Sequence, residues 1–256
     1  MRTPRWFRLP FWLTFAFLYV PIVVVVIMSF NASSSLFVWR GFSLEWYVEV
    51  FRDGALMEGL GNTLVVASGS TALATVLGTL LAVGISRYTR SGLIRAFAIA
   101  PALLPDLLLA IGLLSLFGLV QMTLGLHSVL IAHAVFSMAF VTAIVLARLS
   151  HVDPSLEEAS RDLGAGPVRT LLRVTIPQLA PGIIAGALLA FTLSLDEFVI
   201  AFFTAAPNTP TLPMVIYSMV RFGVTPEVNA LATMLLGVSL LAIIATQRLT
   251  RITESL

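Results

Sequence analysis

The sequence contains no lysine and no cysteine, and it carries little charge of either sign. All 15 basic residues are arginine, and charged residues make up only 11% of the 256 residues. A Walker A phosphate loop needs a lysine, so a standard ATP-binding loop is excluded. The lack of cysteine excludes disulfides, thiolate catalysis and cysteine-ligated zinc. The formal net charge of +2 is too small to predict a nucleic-acid partner.

Catalytic and metal-binding motifs are also missing. The three histidines, His127, His133 and His151, are too far apart in sequence to form a compact metal motif such as H-E-x-x-H. No G-x-S-x-G nucleophile motif is present either. The sequence therefore predicts no metal site and no catalytic residues on this chain.

What the chain does have is apolar sequence. Hydrophobic residues make up 58% of the chain, and the mean hydropathy is +0.99, whereas a soluble domain is about 45–50% apolar and about 25% charged. This predicts an all-α polytopic membrane protein, because about 20 apolar residues are needed to span a bilayer as a helix. Six windows qualify within one transmembrane domain, 1–256: 11–30, 60–86, 96–120, 128–148, 183–204 and 228–247.

The arginines orient these six predicted spans. Twelve of them lie at the termini and in the loops on one side, and only Arg40, Arg52 and Arg221 lie on the other. Cytoplasmic loops carry the excess of positive charge. We therefore expect both termini in the cytoplasm, which agrees with an even number of spans.

The cytoplasmic loop 149–182 is too long to be a simple connector. Asp153 and Pro154 begin a predicted helix, Gly164 ends it, and a second short helix is predicted from Gly166 to about Pro177. We call these two helices and the turn between them the elbow. The elbow either lies on the membrane surface or docks into a soluble partner. One face of its first helix is predicted to hold the apolar or small residues Leu156, Ala159, Ser160 and Leu163, and the other face the exposed charged residues Glu157, Glu158, Arg161 and Asp162, with Glu157 and Arg161 at i,i+4.

The elbow also carries a spaced motif. Glu158-Ala159-Ser160, Gly164 and the segment Val174-Thr175-Ile176-Pro177 follow the pattern E-A-A-x3-G-x9-I-x-L-P with three mild departures, at Ser160, Val174 and Ile176. This resembles the EAA loop of ABC importer permeases. The segments 181–198, 212–221 and 223–230 resemble spermidine/putrescine permeases, although those usually have two adjacent aspartates where this chain has Asp196-Glu197.

The resemblance implies a type I ABC importer permease fold in the bacterial inner membrane. It implies a heterodimer with a second six-span permease, a homodimeric ATPase that binds ATP and Mg²⁺, a periplasmic solute-binding protein and a polyamine substrate, with no cofactor on this chain. It also implies a coupling role for Glu158, Ala159, Gly164 and Pro177.

Few ionisable residues fall inside the predicted spans: Asp106, His133, Asp196 and Glu197. A charge in mid-membrane costs about 2.5–3.5 kcal/mol, so such residues normally face a wet or polar interior. No arginine lies within 96–147 or 174–220. We expect Asp106, Asp196 and Glu197 to line a cation path to which Tyr217 adds a cation–π contact. The alternative is a structural carboxylate, with Asp196 bonded to Thr192, and for His133 we expect a hydrogen-bonded packing role.

Three functions compete at this point. The first is an importer permease driven by a separate ATPase, for polyamines or for another small organic solute. The second is a proton-coupled secondary transporter that relays protons through Asp106, Asp196 and Glu197. The third is an intramembrane enzyme, for which no catalytic motif is present. The elbow favours the first, because a secondary transporter has no use for a docking element.

Overall fold

Helices account for nearly all the regular structure of the chain. The computed structural model describes residues 8–33, 38–89, 91–223, 225–238 and 240. In chain order the helices are α1 (Arg8–Met28), α2 (Glu45–Arg52), α3 (Gly54–Tyr88), α4 (Gly92–Leu103), α5 (Asp106–Leu119), α6 (Leu126–Leu149), α7 (Ser155–Asp162), α8 (Pro167–Thr170), a π-helical segment (Leu171–Thr175), α9 (Ile176–Asp196), α10 (Val199–Thr204), α11 (Leu212–Phe222) and α12 (Pro226–Val238).

The chain divides into two units, which we describe separately. A terminal unit comprises Met1–Met57 and Val215–Leu256, and a central unit comprises Glu58–Met214. The central unit contains α4 to α10 and most of α3, and with them the elbow and the candidate acidic residues.

Five of the six predicted spans correspond to described helices. Four helical stretches are long and apolar enough to cross a membrane: Leu9–Met28, Gly54–Tyr88, Leu126–Leu149 and Pro167–Asp196. The bent pair α4 and α5 matches the third predicted window and makes a fifth span if the pair crosses the membrane as one. Of the sixth predicted span, 228–247, the structure describes α12 up to Val238 and residue Leu240, and the remaining positions lie outside the described residues.

The prediction that spans three and five are continuous helices is wrong. α4 and α5 meet at an angle of 106°. Pro105 explains this break, since a residue that precedes proline is driven into extended conformation, and Leu104 has φ −74° and ψ 142°. In span five the helix ends at Asp196, because Glu197 is extended, with φ −69° and ψ 106°. The short α10 then begins at Val199.

The core of the central unit forms where α6 packs against α9 and α3. Gly182 and Gly186 lie one turn apart on α9, and a Cβ at Gly182 would lie only 2.8 Å from Cβ of Arg148 on α6. On α3, a Cβ at Gly78 would lie 2.9 Å from Cβ of Val141. Small residues of this kind let membrane helices approach closely and gain dispersion contacts.

The sequence predicted that the second elbow helix ends near Pro177, and this prediction is wrong. α8, the π-helical segment and α9 form one uninterrupted helical stretch, Pro167–Asp196. Pro177 has no N–H to donate to the carbonyl of Arg173, and its ring crowds that carbonyl. A widened π turn directly before the proline accommodates this crowding without ending the helix. The elbow is therefore continuous with span five.

In the terminal unit, Asn31 organises the loop between α1 and α2. Its buried side chain donates to the carbonyl of Val38 and accepts from the N–H groups of Ser33 and Arg40. Its own carbonyl accepts from the indole N–H of Trp46 at 2.9 Å. These bonds hold α2 against the end of α1.

Candidate functional site

The elbow helix α7 exposes most of its charged face as predicted, but it buries Glu157 and exposes the leucines of its apolar face. Leu156 and Leu163 are 48% and 90% exposed, whereas Glu157, expected among the exposed acids, is 6% exposed. A helical pattern alone assigns the acid outward because burying an unpaired charge is costly. The structure buries Glu157 because partners from distant segments compensate its charge.

Those partners form a group that we call the Glu157 cluster: Glu157, Arg87, Arg161 and Thr175. Oε1 of Glu157 accepts from Nη2 of Arg87 at 2.6 Å and from the hydroxyl of Thr175 at 2.8 Å. Its Oε2 lies 3.8 Å from Nη2 of Arg161, the i,i+4 neighbour that the sequence paired with it. Arg87 and Thr175 were missed, since no local pattern links either residue to Glu157.

The four predicted coupling residues are accessible. Glu158 and Ala159 are exposed on α7, and Pro177 is exposed in the first turn of α9. Gly164 follows the helix with φ +82°, as expected of a C-terminal glycine. The coupling role itself stays a prediction.

The start of α7 also follows the sequence prediction. Oδ1 of Asp153 accepts from the backbone N–H of Ser155 at 2.9 Å. That hydrogen bond favours the ionised carboxylate and lowers the pKa of Asp153 below its ordinary value. Asp153 therefore caps the first turn of the elbow.

The elbow carries an apolar surface that faces solvent. We call it the elbow surface. It consists of Leu156, Leu163, Val168 and Leu172, which are all exposed. Large exposed apolar groups clustered on one projecting element are typical of an interaction site.

The predicted substrate-path carboxylates of the central unit lie at the two helix breaks. Asp106 is the first residue of α5, Asp196 is the last residue of α9, and Glu197 lies between α9 and α10. α5 packs against α10, the helix that follows Glu197. We call these three residues and their two helix breaks the acidic break.

The acidic break leaves negative charge available. Asp106 and Asp196 are exposed, and none of the ion pairs among the described residues involves them or Glu197. Glu197 is half-buried, and its Oε1 accepts from the N–H of Ile200 at 2.9 Å, which caps α10. Asp106 sits at the positive end of the α5 dipole, whereas Asp196 lies beside the negative end of α9. Asp196 is therefore the least compensated of the three.

The alternative partner for Asp196 is excluded by geometry. The hydroxyl of Thr192 donates to the carbonyl of Leu188 at 2.8 Å, one turn earlier on the same helix. Thr192 therefore does not donate to Asp196, and the structural interpretation built on that pair is wrong.

A buried polar network fixes α9 just before the acidic break. The hydroxyl of Ser194 lies 2.7 Å from Nδ1 of His133 on α6 and 3.1 Å from the hydroxyl of Ser70 on α3. All three residues are buried. The predicted hydrogen-bonded packing role of His133 is confirmed, and the network joins three helices two residues before Asp196.

Tyr217 belongs to the terminal unit and is 46% exposed on α11. Its predicted contact with the substrate stays a prediction. Among the residues that the structure describes, no group of three or more His, Cys, Asp or Glu side chains is placed to hold a metal ion.

Comparison with known proteins identifies a family of membrane transport components. Residues 74–255 match the family described as "Binding-protein-dependent transport system inner membrane component". The chain is 43% identical over 234 residues to the Escherichia coli (strain K12) putrescine transport system permease protein PotI, covering 88% of this chain and 83% of that protein. It is 39% identical over 239 residues to the spermidine/putrescine transport system permease protein PotC of the same strain, covering 93% and 90%.

A solved structure shares the fold. It is the crystal structure of a bacterial ABC transporter involved in the import of the acidic polysaccharide alginate, with a TM-score of 0.73 at 17% identity, covering 95% of this chain and 93% of that chain. The predicted all-α fold of a type I ABC importer permease is thereby confirmed. The chain belongs to the family of inner membrane components of binding-protein-dependent transport systems.

Proposed function

We propose that this permease carries polyamines of the putrescine and spermidine class into the cell, driven by a separate ATPase. The observation that carries the proposal is the acidic break, which presents Asp106, Asp196 and Glu197 without an arginine partner among the described residues. Two relatives at 43% and 39% identity are putrescine and spermidine/putrescine permeases. A permease for another small organic solute is the alternative.

The chemistry of the acidic break suits an ammonium group. A polyammonium ion loses hydration when it enters a narrow path, and fixed carboxylates replace part of that hydration. The last carbonyls of α9 lie at a helix C-terminus and add partial negative charge beside Asp196. An acidic or phosphorylated solute is disfavoured by the same groups.

Neutralising the carboxylates tests the substrate class. Asp106→Asn and Asp196→Asn keep side-chain size and hydrogen-bonding capacity while removing charge, so each should reduce putrescine uptake at least tenfold at normal membrane levels. Basal ATP hydrolysis by the assembled complex should persist. Glu45→Gln, an exposed acid on α2 of the terminal unit, is the matched control and should transport normally. Normal uptake by both aspartate variants would make these carboxylates structural.

The elbow is the proposed contact with the ATPase. Its surface exposes Leu156, Leu163, Val168 and Leu172, and burying a leucine in a partner's groove contributes about 1.5–3 kcal/mol. Glu158 and Ala159 lie on the same accessible helix. ATP and Mg²⁺ bind to that homodimeric partner, and a second six-span permease and a periplasmic solute-binding protein complete the importer.

Co-purification tests the elbow contact. Leu163→Ser removes the most exposed apolar group and should release most of the ATPase from the solubilised complex. Leu163→Met keeps an apolar side chain and should retain it. Equal recovery of the ATPase with both variants would remove the elbow surface from the interface. Uptake by proteoliposomes that continues without ATP but needs a proton gradient would favour the secondary transporter.

The arginine distribution predicts that both termini lie in the cytoplasm. A reporter that fluoresces only in the cytoplasm should be active when it is fused after Leu256 and inactive when it is inserted into the loop between α1 and α2. The reverse pattern would overturn both the orientation and the cytoplasmic position of the elbow.

A further inference from the structure

We propose that the Glu157 cluster is the joint that transmits movement of the elbow to spans two and five, with Glu157 as its positioning residue. The inference rests on the proposed docking of the elbow to an ATPase. It assigns a role to Glu157, Arg87 and Thr175, which lie beside the predicted coupling residues but are not among them.

The first argument is connectivity. Arg87 lies in the last turn of α3, and Thr175 ends the π-helical segment that leads into α9. One oxygen of Glu157 accepts from both side chains. A single carboxylate on α7 therefore ties the elbow helix to two transmembrane helices at once.

The second argument is that apolar packing between α3 and the elbow is incomplete beside Glu157. A cavity of about 250 Å³ lies between α3 and the elbow, and its lining includes Leu80, Gly84, Arg87, Glu157 and Pro167. The ion pair joins α3 to the elbow across this cavity, in addition to the apolar contacts of the cluster that contains Val83 and Leu171. The side chain of Glu157 is only 8% exposed and that of Arg87 is 26% exposed, so solvent screens the pair weakly.

The third argument is the freedom of the backbone around α7. The helix is followed by Gly164 with φ +82° and by Gly166 before α8 begins. Glycines of this kind leave a turn easy to bend. The hydroxyls of Ser160 and Thr170, 3.1 Å apart, also join α7 to α8, so without the Glu157 tie part of the movement of α7 would be absorbed in this turn.

The test measures whether nucleotide binding to the ATPase changes the accessibility of α9 next to the acidic break. The chain has no cysteine, so Thr192→Cys, exposed on α9, provides the single site on this chain for a maleimide probe, and labelling of the permease band is followed in the purified permease–ATPase complex. In the parent, ATP should change the labelling rate several-fold. Glu157→Gln should bring the ratio with and without ATP close to 1 while the rate without ATP stays unchanged. Asp162→Asn, an exposed acid on the same helix, should behave like the parent.

The double variant Arg87→Glu with Glu157→Arg restores the pair in reverse and should recover part of the nucleotide response. A full response in Glu157→Gln would overturn the joint. A parent complex that assembles but shows no nucleotide response would also overturn it and would leave the docking intact. Failure of the parent to bind an ATPase would overturn the proposed function and the joint together.

If the Glu157→Gln permease fails to assemble with the ATPase, a cross-link between α3 and α7 tests the joint instead. Arg87→Cys with Glu157→Cys can be bridged by a short bis-methanethiosulfonate reagent. A joint that stays closed through the cycle predicts that the bridged complex keeps at least half of the parent's ATP-driven putrescine uptake. Uptake that is lost on bridging and regained on reduction would show that the two residues must separate, and would overturn the proposal.

Discussion

The central unit holds carboxylates at two places, the acidic break and the Glu157 cluster, and their surroundings are opposite. Glu157 is buried and shares its oxygens among two arginines and a threonine. Asp106 and Asp196 are exposed at helix ends, with no ion pair among the described residues. Both groups belong to a chain with only 13 acidic residues, so neither is part of a generally charged surface.

This difference distinguishes a carboxylate with a structural role from carboxylates that are available to bind a cationic ligand. A buried carboxylate that already has partners has no capacity left for a ligand, and removing one partner leaves an uncompensated charge. An unpaired carboxylate in a membrane protein is costly to keep and is typical of a transport path. The predictions below test this separation, from the largest expected effect to the smallest.

The largest effect is expected at the turn of the elbow. Gly164→Val should abolish uptake at near-normal membrane levels, because a β-branched residue resists the positive φ that this position requires. Space is not limiting, since nothing lies within 4 Å of a Cβ built there.

Two matched variants control for this change. Gly164→Asn tolerates the left-handed conformation and should keep most of the uptake. Gly166→Ala, at a glycine with φ −70°, should be nearly neutral. Wild-type uptake by Gly164→Val would contradict the coupling role of the turn.

A second prediction converts the acidic break into a paired site. Thr192→Arg places a cation one turn before Asp196, where it should pair with that carboxylate as Arg87 pairs with Glu157. We expect putrescine uptake to fall about tenfold. Thr192→Gln, which has a polar side chain without charge, is the control. If both variants transport equally, free charge at Asp196 does not matter for uptake.

The smallest effect is expected in the network behind the acidic break. Ser194→Ala removes the partner of the buried His133 and should lower the free energy of unfolding by about 1 kcal/mol, measured by denaturation in detergent. Ser115→Ala is the control, because that exposed hydroxyl bonds only the carbonyl of Ile111 on its own helix. Equal stability of the two variants would show that the network contributes nothing.

The sequence predicted the features that are set locally. Apolar windows located the spans, and Gly164 and Asp153 marked the ends of α7 through backbone conformation and capping. Pro105 also carried a local signal for the break before Asp106, although the long apolar run favoured a continuous span. Each of these features depends on a few neighbouring residues, so one sequence suffices to find it.

The features that the sequence did not predict depend on residues that are distant in the chain. The inward face of α7 is decided by Arg87, 70 residues before Glu157. The break after Asp196 has no proline and depends on the side chain of Glu197, which caps α10. A helical pattern records only whether residues are polar, so it assigns a buried, paired acid to the wrong face.

The uninterrupted stretch from Pro167 to Asp196 has a mechanical consequence. Thirty helical residues span about 45 Å at 1.5 Å per residue. One end of this rod is the elbow, and the other end carries the least compensated carboxylate of the acidic break. A helix of this kind resists stretching, so a push or a twist at the elbow end would displace Asp196. Conversely, a cation held at Asp196 would make the whole helical rod harder to move, so that substrate binding would change how the elbow responds.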